Sequence, residues 1–185
     1  MKRIRAVLCG EASVGKSALL RRFSDQDFLE TPTATIAGAF FSKQLRVKNE
    51  NVIVEVWDTA GSERYHSVVP SFFRNASVVC VIYDVTNRES FEKLAFWFNL
   101  AEQSGPSQVP IIVVGNKIDL ENKRQVSFDE GKLYCNNMKA HAFLETSAKT
   151  GEAVDGLFTL VASVEGTFAQ DPFSSSPVPE ESMCC

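Results

Sequence analysis

The sequence predicts an α/β fold: a mostly parallel six-stranded sheet with one antiparallel strand and helices on both faces. Two observations predict it. Apolar runs of strand length alternate with helix-forming segments along the chain, the pattern of a doubly wound sheet. Two of those runs, residues 78–83 and 109–114, are apolar at nearly every position, as strands buried on both faces are.

Taken in order, Ile4-Arg5-Ala6-Val7-Leu8-Cys9 reads as a strand that stops at Gly10, and residues 16–23 read as a helix. A polar, Thr-rich stretch follows. Two alternating runs, residues 40–47 and 52–57, are then joined by Lys48-Asn49-Glu50-Asn51, which predicts an antiparallel hairpin. A helix over 88–103 separates the two apolar strands. Beyond them lie a helix over 127–139, a short strand over 142–145 and a helix over 151–168. From about residue 169 the composition turns to Ser and Pro without periodicity, as in Pro172-Phe173-Ser174-Ser175-Ser176-Pro177. The expected organisation is therefore one domain over 1–168 and a disordered tail over 169–185.

A length of 185 residues, 44% hydrophobic and 23% charged, fits one soluble globular domain. A net charge of −4 provides no basic field for phosphate neutralisation, so nucleic acid is not an expected partner. The apolar run after Met1-Lys2-Arg3 is too short for a signal-peptide core, and no stretch reaches the length of a membrane span. Cys9, Cys80 and Cys135 stand apart without ligand-like spacing and are expected to be small packing residues in a reducing compartment. Cys184 and Cys185 differ in being adjacent and terminal.

Gly10-Glu11-Ala12-Ser13-Val14-Gly15-Lys16-Ser17 fits the pattern G-x-x-x-x-G-K-[ST] and sits between a strand and a helix, the context a phosphate-binding loop requires. Backbone N–H groups near Gly15 and the helix start at Ala18 face the phosphates. Lys16 neutralises the β and γ groups, and the Ser17 hydroxyl binds Mg²⁺. Asn116-Lys117-Ile118-Asp119 follows a strand directly, at the sheet end where ligands bind. Asp119 can accept hydrogen bonds from guanine N1–H and the 2-amino group. Adenine has no donor at either position, so the carboxylate would stay unpaired, and such mismatches discriminate by roughly 10⁴-fold. Glu145-Thr146-Ser147-Ala148-Lys149 follows another strand and can supply a backbone N–H to guanine O6. Trp57-Asp58-Thr59-Ala60-Gly61 ends a third, which suits Asp58 to the Mg²⁺ surroundings and the Gly61 N–H to the γ-phosphate.

With these motifs in place, the chain from Ile4 to Phe168 resembles a small GTPase of the Rab family, a P-loop NTPase. Asp58-Thr59-Ala60-Gly61-Ser62-Glu63-Arg64-Tyr65 is similar to the Rab switch II. The following His66-Ser67, Pro70 and the Gly10-Glu11 loop start resemble the early-endosomal branch. The resemblance implies a switch that hydrolyses GTP to GDP with Mg²⁺ and recruits effectors to a vesicular membrane while GTP is bound. It implies that Phe28 stacks on guanine, that Thr35 is the switch I ligand to Mg²⁺, and that Phe40, Trp57 and Phe72 form the aromatic surface effectors read. For those aromatics, core packing is the competing reading. Lys16, Thr35, Gly61 and Ser62 would then carry the catalytic step. The implied partners are an exchange factor, a GTPase-activating protein, an escort protein and a GDP-dissociation inhibitor, with the chain acting as a monomer.

Three departures from the family pattern stand out. Ser62 replaces the glutamine that orients the attacking water, and its hydroxyl is too short to reach that water. Intrinsic turnover is expected to fall by roughly tenfold or more, about 1.4 kcal/mol or more of barrier. Ala37 replaces the switch I glycine, with Gly38 one position later, and an alanine is strained there if the backbone needs positive φ. Ala12 stands where Rabs often carry serine. The Cys184-Cys185 pair resembles the Rab double-prenylation signal. The tail before it, residues 171–183, holds no Lys or Arg, so two lipid chains would have to hold the chain on the cytosolic face of an intracellular membrane, endosomal by resemblance, with a chaperoned soluble pool. Two other readings use the same residues: a GTP-held membrane scaffold with negligible hydrolysis, which Ser62 favours, and a P-loop kinase of a small metabolite, which would have no use for Asn116 to Asp119.

Overall fold

A computed structural model describes residues 2–26, 38–59 and 69–164. Its six strands lie in one sheet in the order β2-β3-β1-β4-β5-β6. They span Lys2–Cys9 (β1), Ala39–Val47 (β2), Glu50–Asp58 (β3), Val78–Asp84 (β4), Ile111–Asn116 (β5) and Ala142–Thr146 (β6). Every pairing is parallel except β2 with β3. The helices are Lys16–Phe23 (α1), Val69–Phe73 (α2), Arg88–Glu92 (α3), Leu94–Ser104 (α4), Phe128–Asn137 (α5) and Val154–Ser163 (α6), with a 3₁₀ helix at Ile118–Lys123. The α/β architecture read from the sequence is the one found.

The period of two along β1 and β4 divides the core into two layers. Ile4, Ala6 and Leu8, with Val78, Cys80 and Ile82, face a cluster built with α1 and α6. Val7 and Cys9, with Val79, Val81 and Tyr83, face the opposite cluster built with α2, α4 and α5. All seven residues of β4 are buried, which explains its uninterrupted apolar sequence. On the first face, Phe23 of α1 stacks on Phe158 of α6 with ring centroids 3.8 Å apart. Burying such a ring stabilises the fold by about 1.5–3 kcal/mol. Cys9, Cys80 and Cys135 are free and buried, as packing residues should be, and burial pushes each thiol above its usual range.

Several boundaries differ from the sequence reading for local reasons. The β2-β3 connection is two residues, not four. Lys48 and Asn49 both take positive φ, 49° and 67°, and Val47 pairs with Glu50, the backbone that matches a tight hairpin to strand twist. The strand expected at 109–114 begins at Ile111, because Pro110 has no N–H and only its carbonyl joins the ladder, accepting Val79 N–H at 3.0 Å. The single helix expected over 88–103 is two, divided at Lys93, whose ψ of −6° departs from the helical value. α5 starts after Ser127, whose hydroxyl accepts the Glu130 N–H at 3.2 Å and caps the helix. The helix expected over 151–168 begins only at Val154, since Gly151 and Ala153 are left-handed, and it stops before Val164, which is extended. Residues 165–185, including the expected tail and Cys184 and Cys185, lie outside the described residues. So do Phe28, Thr35, Ala37, Gly61, Ser62 and the rest of the switch II segment up to Ser67.

Candidate functional site

The carboxyl ends of β1, β3, β5 and β6 meet at one end of the sheet, and the sequence motifs sit on them. At the end of β1 the chain turns through Gly10 (φ 136°) and Gly15 (φ 102°), both in a region L side chains rarely adopt. Neither position has room for a Cβ. One at Gly10 would lie 2.2 Å from the Ile82 carbonyl oxygen, and one at Gly15 would lie 2.2 Å from Asn116 Nδ2. Ala12 and Ser13 form the exposed crest of the loop, Val14 is buried, and Ala18 is half-buried in the first turn of α1.

Lys16 opens α1 and folds back into this loop. Its side chain is only 5% exposed, and Nζ donates to the Gly10 and Glu11 carbonyls at 2.8 Å each. An ammonium has three donors, so among the described residues one remains for an anion. Burial lowers its pKa, and the charge of Asp58 acts in the opposite sense. A phosphate would favour the charged form further.

The next helical residue, Ser17, donates its hydroxyl to Asp58 Oδ2 at 2.5 Å, at the end of β3. A hydroxyl and a carboxylate are hard oxygen donors of the kind Mg²⁺ takes with substrate phosphates. The donor set fits that ion. Thr59, fully buried, fixes the chain just beyond Asp58 by donating its N–H and hydroxyl to the Leu8 carbonyl at 3.2 and 2.8 Å.

Asn116 ends β5, is 1% exposed, and joins three segments. Its Nδ2 donates to the Val14 carbonyl at 2.9 Å, and its Oδ1 accepts from Thr146 Oγ1 and Ala148 N, both at 3.2 Å. Asp119, three residues on in the 3₁₀ helix, accepts the Ser147 hydroxyl at 2.6 Å. Ser147 Oγ in turn accepts the Thr150 N–H at 3.0 Å. Lys117 sits between them at a left-handed φ of 71° and pairs with Asp84 at 2.6 Å. Lys149, at the far end of the motif, is exposed.

Two of the supporting contacts had no sequence signal, because they join positions far apart in the chain. Arg22 of α1 donates to the carbonyls of Ala148 and Lys149, 126 and 127 residues away. Arg124 grips Glu145 with two hydrogen bonds, 2.8 and 3.0 Å, closing the 3₁₀ segment onto the end of β6. Asp84 is held by the N–H and hydroxyl of Thr86 at 2.8 and 2.7 Å, which aims its other oxygen at Lys117.

On the β2-β3 edge, Phe40 lies opposite Trp57 with ring centroids 4.8 Å apart, and Trp57 lies 5.8 Å from Phe72. Phe40 is 53% exposed, whereas Trp57 and Phe72 pack partly on the second core cluster. The three rings are in contact in series, and Trp57 and Phe72 also pack on the core, whereas Phe40 does not.

A profile of the Ras family matches residues 5–165. The chain is 40% identical over 158 residues to the Ras-related protein RHN1 of Nicotiana plumbaginifolia, an overlap covering 85% of this chain and 78% of that one. It is equally similar, with the same coverage, to the Ras-related protein Rab5 of Nicotiana tabacum. The chain therefore belongs to the Ras family of small GTPases, as a Rab-type member similar to the early-endosomal branch.

Proposed function

We propose that this chain cycles between GDP and GTP, binding guanine through Asp119 and phosphate through Lys16, and recruits effectors to an endosomal membrane. The observation that carries this reading is the bridge made by Asn116. It holds the loop from Gly10 to Ser17 and the loop from Thr146 to Lys149 against the segment bearing Asp119. A base held at Asp119 and phosphates held at Lys16 then belong to one rigid site.

Each residue acts through its geometry. Asp119, oriented by Ser147, offers carboxylate oxygen to the guanine N1–H and 2-amino group. By family resemblance a backbone N–H from Ser147 to Lys149 would reach O6, and Phe28, outside the described residues, would cover the ring. Lys16, desolvated and held by two carbonyls, directs its remaining N–H at the β and γ phosphates, where a low-dielectric setting strengthens the attraction. Ser17, Asp58 and Thr35 would hold Mg²⁺. That ion, when bound, neutralises charge developing on the phosphate oxygens. By family resemblance the Gly61 N–H would meet the γ-phosphate in the GTP state, and Phe40, Trp57 and Phe72 would present the surface that effectors read. Ser62 leaves the attacking water without the glutamine that orients it, which makes intrinsic hydrolysis slow. The same residue supports a second reading, a GTP-held scaffold with negligible hydrolysis. Prenyl groups on Cys184 and Cys185 would provide the membrane attachment. Among the described residues no helix is long and apolar enough to cross a membrane.

Asp119→Asn is expected to shift preference from guanine to xanthine nucleotides, because xanthine presents a carbonyl where guanine presents the 2-amino group. Competition between GDP and XDP reads this, and an unchanged preference for GDP would remove Asp119 from the site. Ser62→Gln should raise single-turnover hydrolysis by roughly tenfold, about 1.4 kcal/mol, while GTP affinity stays constant. An unchanged rate would shift attention to Ala37 and Ala12. Replacing Cys184 and Cys185 with serine should move the protein from membrane to soluble fractions on cell fractionation, and continued membrane association would contradict the lipid anchor.

A further inference from the structure

Glu11, inside the phosphate loop, belongs to none of the nucleotide contacts above, yet its side chain crosses to a different layer of the fold. Its Oε1 accepts a hydrogen bond from Trp97 Nε1 at 2.9 Å, over 86 residues of chain. Trp97 is fully buried in α4, in the cluster shared with α2 and α5. A buried indole N–H needs an acceptor, and leaving it without one costs the desolvation of that group. The main chain of the same glutamate has a second task, because its carbonyl is one of the two that hold Lys16 Nζ, at 2.8 Å.

These two contacts are made by one residue, so the orientation of the peptide that holds the lysine is tied to a fixed point in the core. The neighbouring carbonyl of Gly10 is fixed differently, by backbone packing against Ile82 that excludes even a Cβ. Glu11 has no such constraint: it is half-exposed and its backbone could turn. The indole bond restricts it.

We propose that Glu11 is a positioning residue for phosphate binding, anchoring the Lys16-bearing loop to Trp97 of α4. The inference rests on the reading that Lys16 contacts nucleotide phosphates. A charge-assisted bond to a buried donor is among the stronger hydrogen bonds, and its loss lets the carbonyl that orients Lys16 drift.

The test measures GDP affinity and release on the full chain with Mg²⁺ present, using a fluorescent GDP analogue. Glu11→Ala is expected to speed release and weaken affinity by roughly tenfold, while Glu11→Gln, which keeps an oxygen acceptor, stays within about twofold of the parent. Trp97→Phe should resemble Glu11→Ala, and combining the two should add little, since both break one bond. In a Lys16→Ala background Glu11→Ala should have no further effect on affinity, because the link acts through the lysine. An equal loss in that background would mean that Glu11 merely supports the fold, and unchanged GDP release in Glu11→Ala would also overturn the proposal. If Lys16→Ala itself leaves GDP binding intact, the phosphate reading fails, separately from the role of Glu11.

Discussion

The buried carboxamide of Asn116 makes three hydrogen bonds that join its own strand to two segments far apart in the chain, one at Val14 and one at Thr146 and Ala148. The amide suits this role because it offers two N–H donors and a carbonyl acceptor on one short planar group. An aspartate would present oxygen to the Val14 carbonyl, and an alanine would leave buried groups unpaired. The low dielectric around a residue 1% exposed strengthens each bond and raises the cost of losing any one of them. The rest of the site inherits its geometry from this group: the loop that carries Lys16, the helix that carries Ser17 and the turn that carries Ser147 are all located relative to it.

Close packing sets the second constraint. Gly15 lies directly against Asn116 Nδ2, and Gly10 lies against the Ile82 carbonyl, so the loop can approach the sheet only where side chains are missing. The two glycines of the motif therefore have a purpose beyond flexibility. They let the chain lie low enough for Lys16 to reach back to the Gly10 and Glu11 carbonyls. A cation buried this deeply is destabilised by desolvation, and it is the arrangement in which an anionic ligand gains most from binding.

What the sequence made legible was local. The phosphate loop, Asn116 to Asp119 and Glu145 to Lys149 were recognisable because their backbone chemistry is written in consecutive residues, and the strand ends that carry them follow from apolar runs such as 78–83. The hairpin is legible too, although its loop is two residues shorter than the apolar pattern implies, because the positive φ of Lys48 and Asn49 has no Gly to mark it. Contacts between distant positions had no local mark. Nothing in the neighbourhood of Glu11 points to Trp97, nothing near Arg22 points to Ala148, and the pair of Arg124 with Glu145 depends on how β6 packs beside β5. The same limit applies to Trp57 and Phe72, whose sharing between core and surface depends on the second sheet face.

The central claim is that one guanine nucleotide occupies the site that Asn116 organises. Releasing the nucleotide from the purified full-length protein and identifying it by chromatography tests this most directly. The account predicts about one guanine nucleotide per chain, as GDP or GTP, and markedly less recovered after Lys16 is replaced by alanine. An adenine nucleotide in that position, or a protein that folds and purifies with no nucleotide and takes up none, would contradict it.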